Sequence, residues 1–139
     1  MTVGVRQPPS ASEVKRVLIV EDDQSLRVVI RMVLEQARYE VIEARHGAAA
    51  LELMESEMPD LVLADLRMPL MGGVELIGRL RSSPRTASVP IVLLSGLLPD
   101  PEVTKLANAV VAKPFEPADL LAAISGSLVA GGGAQPPLR

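Results

Sequence analysis

The stretch 17–23, VLIVEDD, joins four apolar residues to three consecutive acids. A run that is apolar at every position is typical of a strand covered on both faces, as in a parallel sheet flanked by helices. The run stops abruptly, so Glu21, Asp22 and Asp23 are expected just beyond the carboxyl end of this strand. The stretch therefore predicts the first strand of an α/β fold, with acids at its tip.

Outward from this stretch, short apolar runs alternate with amphipathic segments of helix length, which indicates βαβ units around a parallel sheet. Further strands are predicted at 41–44, 61–64, 89–94 and 110–112, and helices at about 26–37, 48–54, 74–81, 101–108 and 117–129. Apolar residues at three- and four-residue steps place Val29 of the first helix and Val74 of the third on buried faces. Pro99 and Pro101 favour extended backbone before the fourth helix, which is therefore expected to be short or loosely held.

Length and composition narrow the classes of function. A chain of 139 residues favours one domain, and the absence of Cys excludes disulfides and thiolate metal sites. Its apolar runs are far shorter than the roughly 20 residues that cross a bilayer. A net charge of −3 without a cluster of Lys and Arg disfavours direct binding to nucleic acid. Because the first residues lack the pattern of a secretory signal and Cys is absent, a cytoplasmic location is expected. Residues 1–14 and 130–139 are expected to be a flexible lead-in and tail around a domain at 15–129.

Polar residues stand at the ends of four of the five predicted strands. Glu21 and Asp22 follow the first strand, Asp65 the third, Ser95 the fourth and Lys113 the fifth. In open α/β sheets, ligands bind beyond the carboxyl ends of the strands, near the point where the winding direction reverses. These side chains are therefore expected to share one pocket.

The residue types in this pocket suggest a particular chemistry. Crowded carboxylates repel one another unless a divalent cation offsets their charge, and oxygen ligands without Cys or His favour Mg2+. A carboxylate can attack phosphorus to give an aspartyl phosphate, a reaction that depends on positioning and charge stabilisation. The Lys113 ammonium and the Ser95 hydroxyl would supply further donors to phosphoryl oxygens.

Together, the motifs resemble those of the response-regulator receiver domains of two-component signalling systems, over about 15–129. The matching segments are Val20-Glu21-Asp22-Asp23, the stretch 65–73 (DLRMPLMGG), Ser95-Gly96 and Lys113-Pro114-Phe115. The resemblance implies a flavodoxin-like, doubly wound sheet of five parallel strands in the order 2-1-3-4-5, with helices on both faces.

The resemblance also implies a role for each site residue. Asp65 would accept a phosphoryl group from the phosphohistidine of a partner, while Ser95 moves toward that group and Lys113 pairs with it. Asp22 would bind Mg2+ directly and Glu21 through water. Asp65 and the backbone carbonyl of Arg67 complete the expected metal ligands, and the Lys113–Pro114 bond is expected to be cis.

The expected partners are a sensor histidine kinase or phosphotransfer protein and an unknown downstream protein. The chain itself is expected to be a monomer or a weak dimer. The chain is expected to act by protein contact, with no enzymatic activity beyond its own phosphorylation and dephosphorylation. Two departures from the family pattern concern output. Val110 stands where receivers usually carry Tyr or Phe, and the fourth helix is short, so the signal could leave through another surface such as the first helix.

Several alternatives remain open. The chain could be a receiver fragment of a hybrid kinase or multidomain regulator, or a degenerate receiver that serves as a scaffold. An aspartyl-phosphate phosphohydrolase is disfavoured because Arg67 stands where that chemistry generally has a second acid. A nucleotide-binding fold is disfavoured because no Gly-rich loop follows the first strand. The acids after that strand could also be a solvated turn that caps a helix, and His46 is expected to be a solvated loop residue.

Overall fold

A parallel sheet of five strands lies at the centre of the computed structural model, which describes residues 14–68, 71–96 and 100–132. The strands are β1 (Arg16–Val20), β2 (Glu40–Ala44), β3 (Leu61–Asp65), β4 (Ile91–Ser95) and β5 (Ala109–Ala112). The helices are α1 (Gln24–Gln36), α2 (Gly47–Met54), α3 (Gly73–Ser82), α4 (Pro101–Thr104) and α5 (Pro117–Gly132). The strand order β2-β1-β3-β4-β5 confirms the predicted doubly wound, flavodoxin-like sheet.

The two faces of the sheet bury different helices, because successive side chains of a strand point to opposite sides. Val17 and Ile19 of β1 share one cluster with α1 and α5, in which Ile30 of α1 and Ile124 of α5 are fully buried. On the other face, Leu18 packs in the cluster formed with α2 and α3. Helices therefore cover both faces, as predicted.

The register of the central strands brings the acids together. Val20 at the end of β1 lies opposite Ala64 of β3, so the next residues along these strands, Glu21 and Asp65, come side by side. The Glu21 N–H donates to the Ala44 carbonyl at 3.1 Å and continues the pairing of β1 with β2. The point where the winding direction reverses therefore lies between β1 and β3.

The predicted buried faces of two helices need correction. Val29 of α1 is 50% exposed and Val74 of α3 is 51% exposed, whereas Ile30 and Leu76 are buried. Spacing by three and four residues marks an apolar stripe, but the sector that meets the sheet is set by how the helix packs. Apolar residues at the edge of the stripe therefore face solvent.

Helix α4 is short, as predicted, but it ends at Thr104 and not at Asn108. Asn108 instead joins β4, because its N–H donates to the Ile91 carbonyl at 2.7 Å and its Oδ1 accepts from the Ile91 N–H at 2.8 Å. A residue that pairs with a strand in this way cannot continue the helix. Pro99 lies outside the described residues.

Other boundaries shift by a few residues. β4 begins at Ile91 and not at Val89, because the Val89 N–H donates to the Thr86 carbonyl in a turn. Helix α5 runs to Gly132, so the first residues of the predicted tail are helical. The remainder of that tail and residues 1–13 of the predicted lead-in lie outside the described ranges. Within those ranges, no helix combines the length and the apolar character needed to span a bilayer.

His46 differs from the sequence-based expectation as well. It is the N-cap of α2, and its Nδ1 accepts a hydrogen bond from the Ala49 N–H at 3.1 Å. The neighbouring Gly47 N–H donates to the Met71 carbonyl at 2.8 Å, which attaches the start of α2 to the segment after β3. His46 therefore has a structural role at a helix start.

Candidate functional site

A cleft of about 360 Å³ opens at the carboxyl ends of β3, β4 and β5. It is lined by Asp65, Leu66, Arg67, Ser95, Gly96 and Lys113. Four of the predicted site residues, Asp65, Arg67, Ser95 and Lys113, thus line one pocket although they come from three separate parts of the sequence. The parallel sheet causes this, since it aligns the ends of all its strands on one edge.

Asp65, the last residue of β3, is only 6% exposed. Its Oδ2 accepts a hydrogen bond from Lys113 Nζ at 3.0 Å, and its Oδ1 accepts one from the Arg67 backbone N–H at 3.2 Å. Each carboxylate oxygen therefore has one donor. The Lys113 ammonium also offsets the negative charge of Asp65 in a setting where an unpaired carboxylate would be costly.

A backbone hydrogen bond to β4 fixes the position of Lys113. The Lys113 N–H donates to the Ser95 carbonyl at 2.9 Å, just past the last pair of β4 and β5. The Lys113–Pro114 peptide bond is cis, as predicted. Ser95 is buried at the end of β4, so Ser95 and Lys113 meet the cleft from neighbouring strands.

Three acids lie close enough to share a cation. Glu21, Asp22 and Asp65 each place one carboxylate oxygen within 4.8 Å of the others. Asp23 is not one of them, because its Oδ1 caps α1 by accepting from the N–H groups of Ser25 at 3.0 Å and Leu26 at 3.2 Å. The interpretation of this turn as a helix cap therefore holds for Asp23 alone.

Glu21 is the most deeply buried of these acids, at 1% exposure. Its Oε2 accepts from the Asp23 N–H at 3.1 Å, but its buried Oε1 has no hydrogen-bond donor facing it in the described part of the chain. Burial raises the pKa of Glu21 to about 7, and the charge of Asp65 adds to this, while the Asp23 N–H and Lys113 act in the opposite direction. An ionised Glu21 thus needs more positive charge than Lys113 supplies.

The donor set suits a hard divalent cation. All three acids offer oxygen, and Mg2+ binds through one or two carboxylates while it keeps several waters. The unsatisfied Glu21 Oε1 and the exposed Asp22 carboxylate agree with such a site. The residues present therefore fit Mg2+. The Arg67 carbonyl stays a predicted ligand, since the observed contact of Arg67 with the site is its N–H bond to Asp65.

Two supporting contacts were not foreseen from the sequence. Arg27 of α1 donates from Nη1 to the Glu21 carbonyl at 2.7 Å, a contact for which the sequence offers no signal. Gly73 lies so close to the end of β3 that a Cβ there would be 2.7 Å from the Asp65 carbonyl oxygen. The adjacent glycines Gly72 and Gly73 are the sequence signal for that close approach.

Comparison with known proteins places this geometry in context. The family model for the response regulator receiver domain matches residues 17–125. The chain is 40% identical over 126 residues to the sensor histidine kinase TmoS of Ectopseudomonas mendocina, covering 88% of this chain and 13% of the kinase. It is 34% identical over 118 residues to the phosphate regulon transcriptional regulatory protein PhoB of Pseudomonas aeruginosa, covering 82% of this chain and 52% of PhoB. The chain therefore spans only part of each of these relatives.

A solved structure agrees with the match. The response regulator TrrA of Thermotoga maritima, in complex with Mg2+-BeF, superposes with a TM-score of 0.76 at 28% identity. The superposition covers 82% of this chain and 99% of TrrA.

Proposed function

This chain belongs to the family of response regulator receiver domains, and on that premise we propose that Asp65 accepts a phosphoryl group in the presence of Mg2+ and thereby switches the domain between signalling states. The observation that carries the proposal is the meeting of four charged side chains in one place. A buried carboxylate, a lysine ammonium 3.0 Å from it and two further acids surround the end of β3.

The transfer would begin with attack by a carboxylate oxygen of Asp65 on the phosphorus of a phosphohistidine. A P–O bond forms, the P–N bond breaks, and the departing imidazole takes up a proton, so that an aspartyl phosphate and a neutral histidine result. Lys113, whose Nζ lies beside Oδ2, would pair with a phosphoryl oxygen after the transfer. The Arg67 N–H remains beside Oδ1 and holds the carboxylate in orientation.

Glu21 and Asp22 are the residues that would hold Mg2+ together with Asp65. When bound, Mg2+ supplies positive charge that offsets the crowded carboxylates and the incoming phosphoryl oxygens. TrrA, whose structure was solved as a Mg2+-BeF complex, supports the same cation for this chain. By the family pattern, Glu21 would contact the cation through water, and Asp22, whose side chain is exposed, would bind it directly.

The proposed partners follow from the family. A sensor histidine kinase or a phosphotransfer protein would donate the phosphoryl group, and a downstream protein would read the phosphorylated state by direct contact. A cytoplasmic, monomeric or weakly dimeric protein fits these partners. Because Val110 lacks the ring found at this position in most receivers, the output would not depend on an aromatic side chain that changes position.

A second candidate is a receiver segment of a longer hybrid kinase. The length comparison favours it, since the matched segment makes up 13% of TmoS and 12% of the sensor kinase CqsS of Vibrio cholerae. The chemistry at Asp65 would be the same in both cases. Only the source of the phosphoryl group would differ, because a kinase on the same chain could then supply it.

Incubation with acetyl phosphate and Mg2+, followed by intact-mass measurement, tests the proposal. We expect a mass increase of one phosphoryl group, lost on treatment with EDTA before the incubation and absent in Asp65→Asn. A wild-type chain that gains no phosphoryl group under these conditions would instead support the degenerate, scaffold-like receiver.

A further inference from the structure

The backbone around the acids has an anchor that lies outside the cleft. Arg27 belongs to α1, and its side chain is only 12% exposed. One nitrogen, Nη1, donates to the Glu21 carbonyl at 2.7 Å, while Nε donates to Glu43 Oε1 at 2.8 Å. A single planar guanidinium thus connects the turn after β1 with the strand β2.

The Glu21 carbonyl belongs to the peptide group that joins Glu21 to Asp22. Holding its oxygen fixes the plane of that peptide and, with it, the directions in which both side chains leave the backbone. The Glu21 N–H is fixed separately by the Ala44 carbonyl at 3.1 Å. Arg27 therefore acts on the orientation of two acids through their shared peptide group.

Further charged side chains keep the Arg27 guanidinium in place. Glu43 also accepts from Arg31 Nη1, and Arg31 Nε donates to Glu35 at 2.9 Å. Burial raises the pKa of Glu43, but hydrogen bonds from Arg31 and Arg27 outweigh that effect and leave its pKa below the usual range. Glu43 therefore stays ionised at neutral pH and remains a constant acceptor for Arg27.

We propose that Arg27 is a positioning residue for the cation site, which orients Glu21 and Asp22 through the carbonyl of Glu21. This inference rests on the proposed function, since it assumes that these acids bind Mg2+. Arg27 differs from a residue that acts by charge alone, because a nearby positive charge opposes the binding of another cation. Loss of the positioning role should therefore weaken Mg2+ binding, whereas loss of the positive charge alone should strengthen it.

Arg27→Lys separates the two effects, because Lys keeps the charge but lacks the planar fork that reaches two acceptors at once. We expect Mg2+ to bind about 10-fold more weakly in Arg27→Lys, the lower end of the effect of losing a group that orients metal ligands. Titration calorimetry with Mg2+ alone gives the Kd, and urea unfolding in EDTA gives the stability of each variant separately.

Arg31→Lys is the matched control. Arg31 is on the same helix as Arg27 and also binds Glu43, but it makes no contact with the Glu21 carbonyl in the described structure. The Mg2+ Kd of Arg31→Lys should therefore equal that of the wild type. Arg27→Gln, which removes the charge as well, provides a second variant if Arg27→Lys unfolds. The effect of lost positioning should exceed that of the lost charge, so Arg27→Gln should also bind Mg2+ more weakly than the wild type.

Two results would overturn the inference while leaving the proposed function intact. In the first, wild-type and Arg27→Lys chains bind Mg2+ equally. In the second, Arg31→Lys weakens binding as much as Arg27→Lys does, which would make the whole ion-pair group merely structural. A wild-type chain that binds no Mg2+ would overturn both the inference and the proposed role of the cation.

Discussion

Asp22 and Asp23 are adjacent in sequence but have different surroundings. Asp22 forms a group of acids with Glu21 and Asp65, whereas Asp23 uses its carboxylate to cap α1. We expect Asp22→Asn to weaken Mg2+ binding by at least about 10-fold, because it removes a charged oxygen ligand. Asp23→Asn should leave the Mg2+ Kd within about twofold, because Asn caps a helix about as well as Asp.

Titration calorimetry on the two variants checks this expectation. An equal loss in both, or a loss confined to Asp23→Asn, would contradict the assignment of the acids. Asp23 also shows which features of single residues could be predicted from the sequence. The three acids were expected to follow β1, but their different roles depend on the start of α1, which the pattern located only to within a few residues.

Glu21 gives the metal-free chain a distinctive dependence on pH. Burial raises its pKa from 4.5 to about 7, so between these values the folded chain holds a proton that the unfolded chain releases. The stabilising contribution of this proton is complete below about pH 4.5 and is lost as the pH rises through about 7. The loss is on the order of 3 kcal/mol of unfolding free energy.

Glu21→Gln isolates this contribution, because Gln has nearly the same shape and does not titrate. Urea unfolding in EDTA at about pH 5 and about pH 8 gives the unfolding free energies of both chains. The unfolding free energy of the wild type minus that of Glu21→Gln should decrease from the lower to the higher pH. A difference that stays constant or rises would show that Glu21 is ionised in the folded chain throughout this range.

At the scale of the elements, α4 depends on a neighbour for its placement. It is four residues long and buries none of its side chains. Arg81 of α3 instead holds the following loop, donating from Nε to the Leu106 carbonyl at 2.9 Å and from Nη2 to Asn108 Oδ1 at 3.0 Å. Its Nη1 also donates to the carbonyls of Ala87 and Val89.

Arg81→Ala should therefore lower the unfolding free energy by about 2 to 3 kcal/mol, because several carbonyls lose their donor at once. Arg79→Ala on the same helix is the control. Its ion pair with Glu75 is more than half exposed and should be worth less than about 0.5 kcal/mol. Urea unfolding of both variants measures the difference, and equal losses would refute the anchoring role of Arg81.

The elements also show where sequence patterns succeed and where they fail. Apolar runs located all five strands, because a buried parallel strand needs an apolar side chain at nearly every position. The run at 41–44 is not uniform, since it includes Glu43 of the edge strand β2. Helix faces were predicted less accurately, because Val29 and Val74 are exposed and not buried. The end of α4 could not be predicted either, since it depends on the pairing of Asn108 with Ile91, a contact between distant parts of the chain.

At the scale of the whole molecule, cation binding and folding should be linked. The three acids come from the ends of β1 and β3, which are adjacent only in the folded sheet. Mg2+ should therefore bind the folded chain in preference to the unfolded one and stabilise it by about 2.7 kcal/mol at a concentration of about 100 Kd. Thermal unfolding at increasing Mg2+ measures this effect at about pH 8, where Glu21 is ionised.

The same titration in Asp22→Asn is the control for nonspecific salt effects, and its Tm should change far less. Equal shifts in the two chains would contradict a specific cation site. The grouping of these acids was foreseen from the sequence, because strand ends of a parallel sheet share one edge. The distances between the side chains and the support from Arg27 required the three-dimensional arrangement.

The most direct test of the central claim identifies the residue that carries the phosphoryl group. Borohydride reduces an acyl phosphate to an alcohol, so a phosphorylated Asp becomes homoserine while an unmodified Asp is left unchanged. After incubation with acetyl phosphate and Mg2+ and then borohydride, peptide mass spectrometry should find homoserine at position 65. A reduced side chain at Glu21 or Asp22, with Asp65 unchanged, would contradict the account.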